Sequence, residues 1–212
     1  MKIGILGAGS VGKALAKGWL DAGHSVKISS RDPMSESLFT WKEQMGPDCQ
    51  IATFEESAAF GEVIVLAINW SGVESVLKQT GQQALQHKVI IDLSNAVEFS
   101  ETPQLALKNI SAGEMIQQWL PESRVVKTLN MVGSATMVNP SFSQGTPVMF
   151  LCGNDAEAKV TVQELLHAIG WRDVIDLGDI TRSALLESLM LTCLISEIRQ
   201  QEFGSAFALL RK

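Results

Sequence analysis

The chain has 212 residues, enough for one substantial domain, and 46% of them are apolar, enough to bury a proper core. A formal charge of -6 with scattered basic residues argues against a nucleic-acid or anionic-membrane surface. Cys49, Cys152, Cys193, His24, His87 and His167 are too widely dispersed for a disulfide framework or a metal site.

No stretch approaches the roughly 18 uninterrupted apolar residues of a membrane helix. Met1 runs directly into a strand-like segment, so no signal peptide is expected and the cytoplasm follows. Short apolar runs then alternate with helical patterns, as in βαβ units around a parallel sheet. The first run, Lys2-Ile3-Gly4-Ile5-Leu6, reads as a strand buried on both faces. Val11, Leu15, Trp19 and Ala22 stripe a helix that Gly23 closes, and Ser25 to Ser29 forms the second strand. Asp32-Pro33 reads as an N-cap and first helical residue, ahead of a stripe of Leu38, Trp41 and Met45 that Gly46 stops. Ile51-Ala52 is a short third strand, and Thr53 with Glu56 makes a capping box.

Val63 to Ile68 and Val89 to Leu93 are continuous β-branched runs, suited to interior parallel strands. Ser111 and Glu114 form a second capping box, with Ile110 and Met115 placed as a staple, on a helix ending at Pro121. Arg124 to Leu129 is a sixth strand and Pro147 to Leu151 a seventh. Val162, Leu165, Leu166 and Ile169 stripe a helix closed by Gly170, and Val174 to Leu177 is an eighth strand. The last helix, from about Ile180, carries a broad stripe of Leu185, Leu186, Leu189, Met190, Cys193, Leu194 and Ile198. Such a stripe fits either a helix tucked against the sheet or a homodimer interface. The expected fold is therefore α/β: a doubly wound, mostly parallel Rossmann sheet in one domain over 1–212. Residues 1–135 would be its dinucleotide-binding core and 136–212 a C-terminal α/β extension ending in a long apolar helix.

Gly7-Ala8-Gly9-Ser10-Val11-Gly12 has the G-x-G-x-x-G pattern directly after a strand and at the start of a helix. Gly7 makes the tight turn, Gly9 lets the backbone approach a pyrophosphate, and Gly12 lets helix and strand pack closely. The phosphates would rest on backbone N–H groups at the helix N-terminus. At the end of the second strand, dinucleotide sites that read a ribose 2′-OH place an acidic residue. Here stand Ser29, Ser30 and Arg31, two hydroxyls and a guanidinium suited to a 2′-phosphate. Asp32 lies at a similar distance, but its place beside Pro33 gives it a local capping role. NADP(H) is favoured over NAD(H).

Ser30-Arg31, Ile68-Asn69-Trp70 and Ser111-Ala112-Gly113-Glu114 ahead of Val125-Val126-Lys127 together resemble the NADPH-dependent deazaflavin-coenzyme (F420) reductase family. Asp92-Leu93-Ser94-Asn95 and Val126-Lys127 leading to Leu129-Asn130 are similar to the cytosolic NADPH oxidoreductase domains of membrane ferric reductases. Leu151 to Asp155 and Leu186 to Leu189 extend the likeness over nearly the whole chain. The resemblance implies a compact, often dimeric Rossmann protein that passes hydride between NADPH and a flavin-like ring. It implies that Ala67, Ile68, Asn69 and Trp70 line the nicotinamide side. Two positions depart from the deazaflavin pattern: Asn69 stands where proline is common, and Asn130 where histidine is.

Hydride transfer between two stacked rings needs position and electrostatics more than an acid or base, so no catalytic residue is expected by type. With no tyrosine in the chain, a Tyr-x-x-x-Lys apparatus is excluded. Asn95 and Asn130, at carboxyl ends of strands, are candidates to bind the nicotinamide carboxamide or the acceptor ring, with Met131 beside them. Loop amides that satisfy backbone are the equal alternative. The expected activity is hydride transfer between NADP(H) and a small-molecule acceptor, a deazaflavin or flavin. The alternatives are a non-catalytic NADPH sensor and a small imine or hydroxyacid reductase of the 6-phosphogluconate dehydrogenase-like group.

Overall fold

The computed structural model describes residues 1–210. Strands β1 (Lys2–Leu6), β2 (Ser25–Ser29), β3 (Cys49–Ala52), β4 (Val63–Leu66) and β5 (Val89–Asp92) alternate with helices α1 (Ser10–Asp21), α2 (Glu36–Glu43), α3 (Phe54–Phe60), α4 (Trp70–Thr80) and α5 (Gln82–Leu85). A two-stranded ribbon, β6 (Val97–Glu98) and β7 (Gln104–Leu105), precedes α6 (Ala112–Trp119) and β8 (Arg124–Thr128). The chain continues through β9 (Val148–Gly153), α7 (Ala156–Ala168), β10 (Asp173–Asp176), a 3-10 turn at Ile180–Arg182 and α8 (Ser183–Gln200).

Eight strands form one sheet in the order β10-β9-β8-β5-β4-β1-β2-β3. The run from β3 to β8 is parallel and follows the 3-2-1-4-5-6 order of a dinucleotide-binding sheet. β9 then pairs antiparallel with β8, Thr128 opposite Leu151, and β10 runs parallel to β9. The sheet therefore passes without a break from the nucleotide-type half into the C-terminal segment.

The strand period of two explains the two cores. Val63 and Val65 of β4 and Val89 and Ile91 of β5 face one apolar cluster, with Leu15 and Trp19 of α1 and Val162 and Leu165 of α7. Ile64, Leu66 and Ile90 face the other, with Val73, Val76 and Leu77 of α4 and Ile116 of α6. The buried indoles are satisfied: Trp19 donates to the Leu165 carbonyl at 3.1 Å and Trp171 to that of Met137 at 2.9 Å.

Both capping boxes form as the sequence predicts, Thr53 with Glu56 and Ser111 with Glu114. The Asp32-Pro33 helix start needs correction. Ser35 occupies the N-cap position of α2, while Asp32 and Ser35 close a β-turn with Pro33 at its second position. β4 stops at Leu66, so Ala67 and Ile68 lie in the turn and Trp70 opens a helix. The sequence reading missed α4, although Val73, Val76, Leu77 and Thr80 are spaced for one helical face. It also missed α5 and the β6–β7 ribbon, which are too short to carry a period. On α8, Leu186 and Cys193 are buried, whereas Leu185 is 52% and Ile198 47% exposed. That helix packs one face against the sheet and leaves apolar side chains on the other.

Candidate functional site

At two positions, the turn from β1 into α1 tolerates no side chain. Gly7 has φ +118°, and a Cβ there would sit 2.2 Å from the Ala67 carbonyl oxygen. A Cβ on Gly12 would sit 2.0 Å from the Gly7 carbonyl oxygen, so α1 can start this close to β1 only with glycine. Gly9 is different. It is the N-cap of α1 in extended geometry, no side chain caps the helix, and a Cβ on Gly9 would meet nothing within 4 Å. The first turn of α1 thus offers N–H groups and open space to an anion.

A cleft of about 660 Å³ opens above this turn. Of the residues singled out from sequence, Gly7, Ala8, Gly9, Ser10, Val11, Ser30, Arg31, Ala67, Ile68 and Asn69 all line it. Phe54 of α3 and Ser71, Gly72, Ser75 and Val76 of α4 complete the wall. Sequence reasoning missed the last four because α4 was missed, and Phe54 because nothing local marks a helix-start phenylalanine as facing a cleft. Phe54 and Val76 add apolar side chains to the lining. Asp32 is held in its own turn, its Oδ1 accepting from the Met34 N–H at 3.2 Å, and Ser30 Oγ accepts from the Asp32 N–H at 3.2 Å. Arg31 is therefore the charged residue of β2's end that reaches the cleft wall.

Other candidates lie elsewhere. Gly12 is buried beneath the loop. Ser29 is fully buried and its hydroxyl donates to the Ile5 carbonyl at 2.8 Å, so it stitches β2 to β1. Trp70 stacks on Trp119, with ring centroids 5.6 Å apart and planes 9° from parallel. Asn95, Asn130 and Met131 are not among the cleft-lining residues. They sit beyond the carboxyl ends of β5 and β8, where Leu129 takes the left-handed φ of +59° just before Asn130. Asn95 Nδ2 donates to the Asn130 carbonyl at 2.9 Å, and Asn130 Nδ2 donates to Asn95 Oδ1 at 2.8 Å. Asn130 is 4% exposed, and its Oδ1 has no hydrogen-bond partner among the described residues.

Directly behind this pair lies a buried charge cluster. Lys127 Nζ is 2.8 Å from Asp92 Oδ2 and 3.3 Å from Glu187 Oε1, with none of the three more than 3% exposed. Burial works against the Lys127 charge, but Asp92 and Glu187 outweigh it and hold the ammonium above its usual pKa. Burial pushes Glu187 up, against the opposing pull of Lys127. The sequence signal was present in a lysine inside a β-branched strand and a glutamate beside Leu186, but neither names its partner. Cys152 lies nearby, its Sγ 3.4 Å from Ser183 Oγ, and burial lifts its thiol to about 11.

Among the described residues, no helix is long and apolar enough to cross a membrane. No group of three or more His, Cys, Asp and Glu side chains among them is placed to hold a metal ion.

The sequence pattern of the family described as "NADP oxidoreductase coenzyme F420-dependent" matches residues 2–96. The chain is 30% identical over 201 residues to the F420-dependent NADP reductase of Methanocaldococcus jannaschii, covering 89% of each. It is 31% identical over 197 residues to Metalloreductase STEAP3 of Rattus norvegicus, covering 92% of this chain but only 37% of that protein. A solved structure from Arthrobacter sp. FB24, described as an F420-dependent NADP-reductase, superposes with a TM-score of 0.93, 35% identity and full coverage of both chains. An imine reductase of Streptomyces aurantiacus shares the fold at a TM-score of 0.70 and 18% identity.

Proposed function

We propose, for a chain that belongs to the family of coenzyme F420-dependent NADP oxidoreductases, that it transfers hydride between NADP(H) and a flavin-like ring, a deazaflavin of the F420 type foremost. NADP-dependent reduction is the common ground of its relatives. The observation that carries the reading for this chain is the cleft itself. One wall is an uncapped helix start beside an open Gly9, and the other carries Ser30 and Arg31.

A bound dinucleotide would be divided among these residues by the chemistry of its parts. Phe54 and Val76 would face the adenine, and Ser30 and Arg31 the 2′-phosphate. Backbone N–H groups of the α1 first turn would hold the pyrophosphate, and Ala67, Ile68 and Asn69 lead toward the nicotinamide. When bound, the nicotinamide supplies the hydride. The chain's own residues bind, orient and exclude water, and no general acid or base is needed for transfer between two rings. The Asn95–Asn130 pair, at the carboxyl edge of the sheet, is where we place the amide contacts to the transfer end.

A ferric acceptor is the second reading, favoured by the Asn95 and Asn130 positions and by the likeness to the reductase-containing rat protein. Titration calorimetry with NADPH and NADH, followed by NADPH oxidation with coenzyme F420, FMN and ferric citrate, tests both. Tight NADPH binding with F420 reduction is expected. Absence of NADPH binding at millimolar concentration would sink the assignment.

A further inference from the structure

Three ionisable side chains sit together in the interior at Asp92, Lys127 and Glu187, two acidic and one basic. Removing three ions from water costs more than packing apolar residues of the same volume, so such a cluster is a poor stabiliser by itself. What it does supply is direction. Asp92 Oδ1 accepts from the Ser94 N–H at 2.8 Å and from the Ser94 hydroxyl at 2.7 Å. Lys127 Nζ donates to the Ser94 carbonyl. Ser94 is thereby fixed at its N–H, its hydroxyl and its carbonyl, and the next residue is Asn95. On the other side, Lys127 is three residues ahead of Asn130 in the same segment, across the left-handed Leu129. Glu187 ties the cluster to α8 and accepts from the Gly113 N–H of α6 at 3.4 Å. On its N-terminal side the chain therefore reaches Asn95 from Ser94, which the cluster holds, and Asn130 from Lys127, which is part of it.

We infer that Lys127 is a positioning residue: through Ser94, Asp92 and Glu187 it sets the mutual orientation of the Asn95 and Asn130 amides at the transfer end of the site. The inference rests on the NADP(H) reading for its role in catalysis, but the positioning itself is a property of the protein alone.

The test compares the wild type with the charge-free variant Asp92→Asn/Lys127→Met/Glu187→Gln. The readouts are hydrogen exchange of the Asn95 and Asn130 side-chain amides by NMR, NADPH affinity by calorimetry, and the kcat and KM of NADPH oxidation with F420 or FMN. In the variant, amide protection should fall about tenfold or more. The NADPH affinity, set by the glycine loop and Arg31, should hold within about threefold, while kcat falls about tenfold or more. A merely structural cluster would move thermal stability and NADPH affinity together. Protected amides in a folded variant would overturn the inference. Should the triple variant fail to fold, Glu187→Gln alone must still raise amide exchange, and unchanged exchange there overturns it equally. A wild type that binds no NADPH, with exchange still rising in the variant, would remove the functional reading and leave the positioning standing.

Discussion

Asn95 and Asn130 hold each other in a single orientation. The Asn130 carbonyl can only accept, so the Asn95 amide must turn its Nδ2 toward it, and its Oδ1 then faces Asn130. That oxygen in turn demands the Nδ2 of Asn130, which leaves Asn130 Oδ1 pointing away without a partner among the described residues. Neither amide can flip without losing a hydrogen bond.

Asn130→Asp should therefore be costly at neutral pH, because a carboxylate oxygen would replace the donor facing Asn95 Oδ1. A loss of about 1–3 kcal/mol is expected from urea unfolding. The buried carboxyl can recover the bond only by protonating, which places its folded-state pKa above the unfolded value near about 4. Its contribution is then present below that value and lost as pH rises through the folded one. Relative to wild type, the variant should recover stability as pH falls. An equal deficit at all pH values would show that the amides do not face each other.

Gly9 and Gly12 separate binding from folding. Gly9→Ala meets open space at a backbone conformation alanine adopts, so stability should change by no more than about 0.5 kcal/mol. Its methyl would occupy the place of the pyrophosphate, and NADPH affinity should drop by about tenfold or more, equivalent to ~1.4 kcal/mol. Gly12→Ala drives a methyl into the Gly7 carbonyl and should cost about 1–3 kcal/mol of stability. Thermal melts beside calorimetry distinguish the two, and a Gly9→Ala protein with undiminished affinity would contradict the phosphate placement.

Arg31→Ala tests the 2′-phosphate contact. A hydrogen bond to a charged group contributes roughly 1.5–3 kcal/mol. NADPH affinity should weaken about ten- to hundredfold while NADH affinity stays within about twofold. Equal losses for both nucleotides would assign Arg31 to the shared part of the cofactor.

Cys152 gives the fold an alkaline limit. Burial raises its thiol from 9.0 to about 11, partly opposed by the Ser183 hydrogen bond. The folded state holds this proton more tightly than the unfolded chain. The associated stability is complete below pH 9.0 and is lost as pH rises through about 11. The loss should be on the order of 2–3 kcal/mol, seen as a falling urea midpoint. Burial raises Cys49 and Cys193 as well, so the comparison is with Cys152→Ala, whose midpoint should fall less steeply.

Much of the parallel half was legible because its signals are local. The β1 strand, the glycine turn and both capping boxes are each specified within a few residues. Arg31 could be placed because a strand end fixes where its next side chains emerge. α4 was readable from Val73, Val76, Leu77 and Thr80, but the strand pattern running through Ile68 hid its start. The Asp32-Pro33 pair was read as a helix cap, but it opens a β-turn and the cap falls to Ser35, because proline at the second position of a turn satisfies the same local preference.

By itself the sequence determined that a parallel βαβ unit would form and that its first turn would carry glycine where the backbone comes closest, because steric and periodic constraints act over short stretches of chain. Only the tertiary structure decided that β9 would reverse against β8 and that Lys127 would meet Asp92 and Glu187. It also turned Asn95 toward Asn130 rather than outward. These are contacts between residues 23 to 60 positions apart, and a buried charge or amide selects its partner by which opposite group the completed core brings within hydrogen-bond reach.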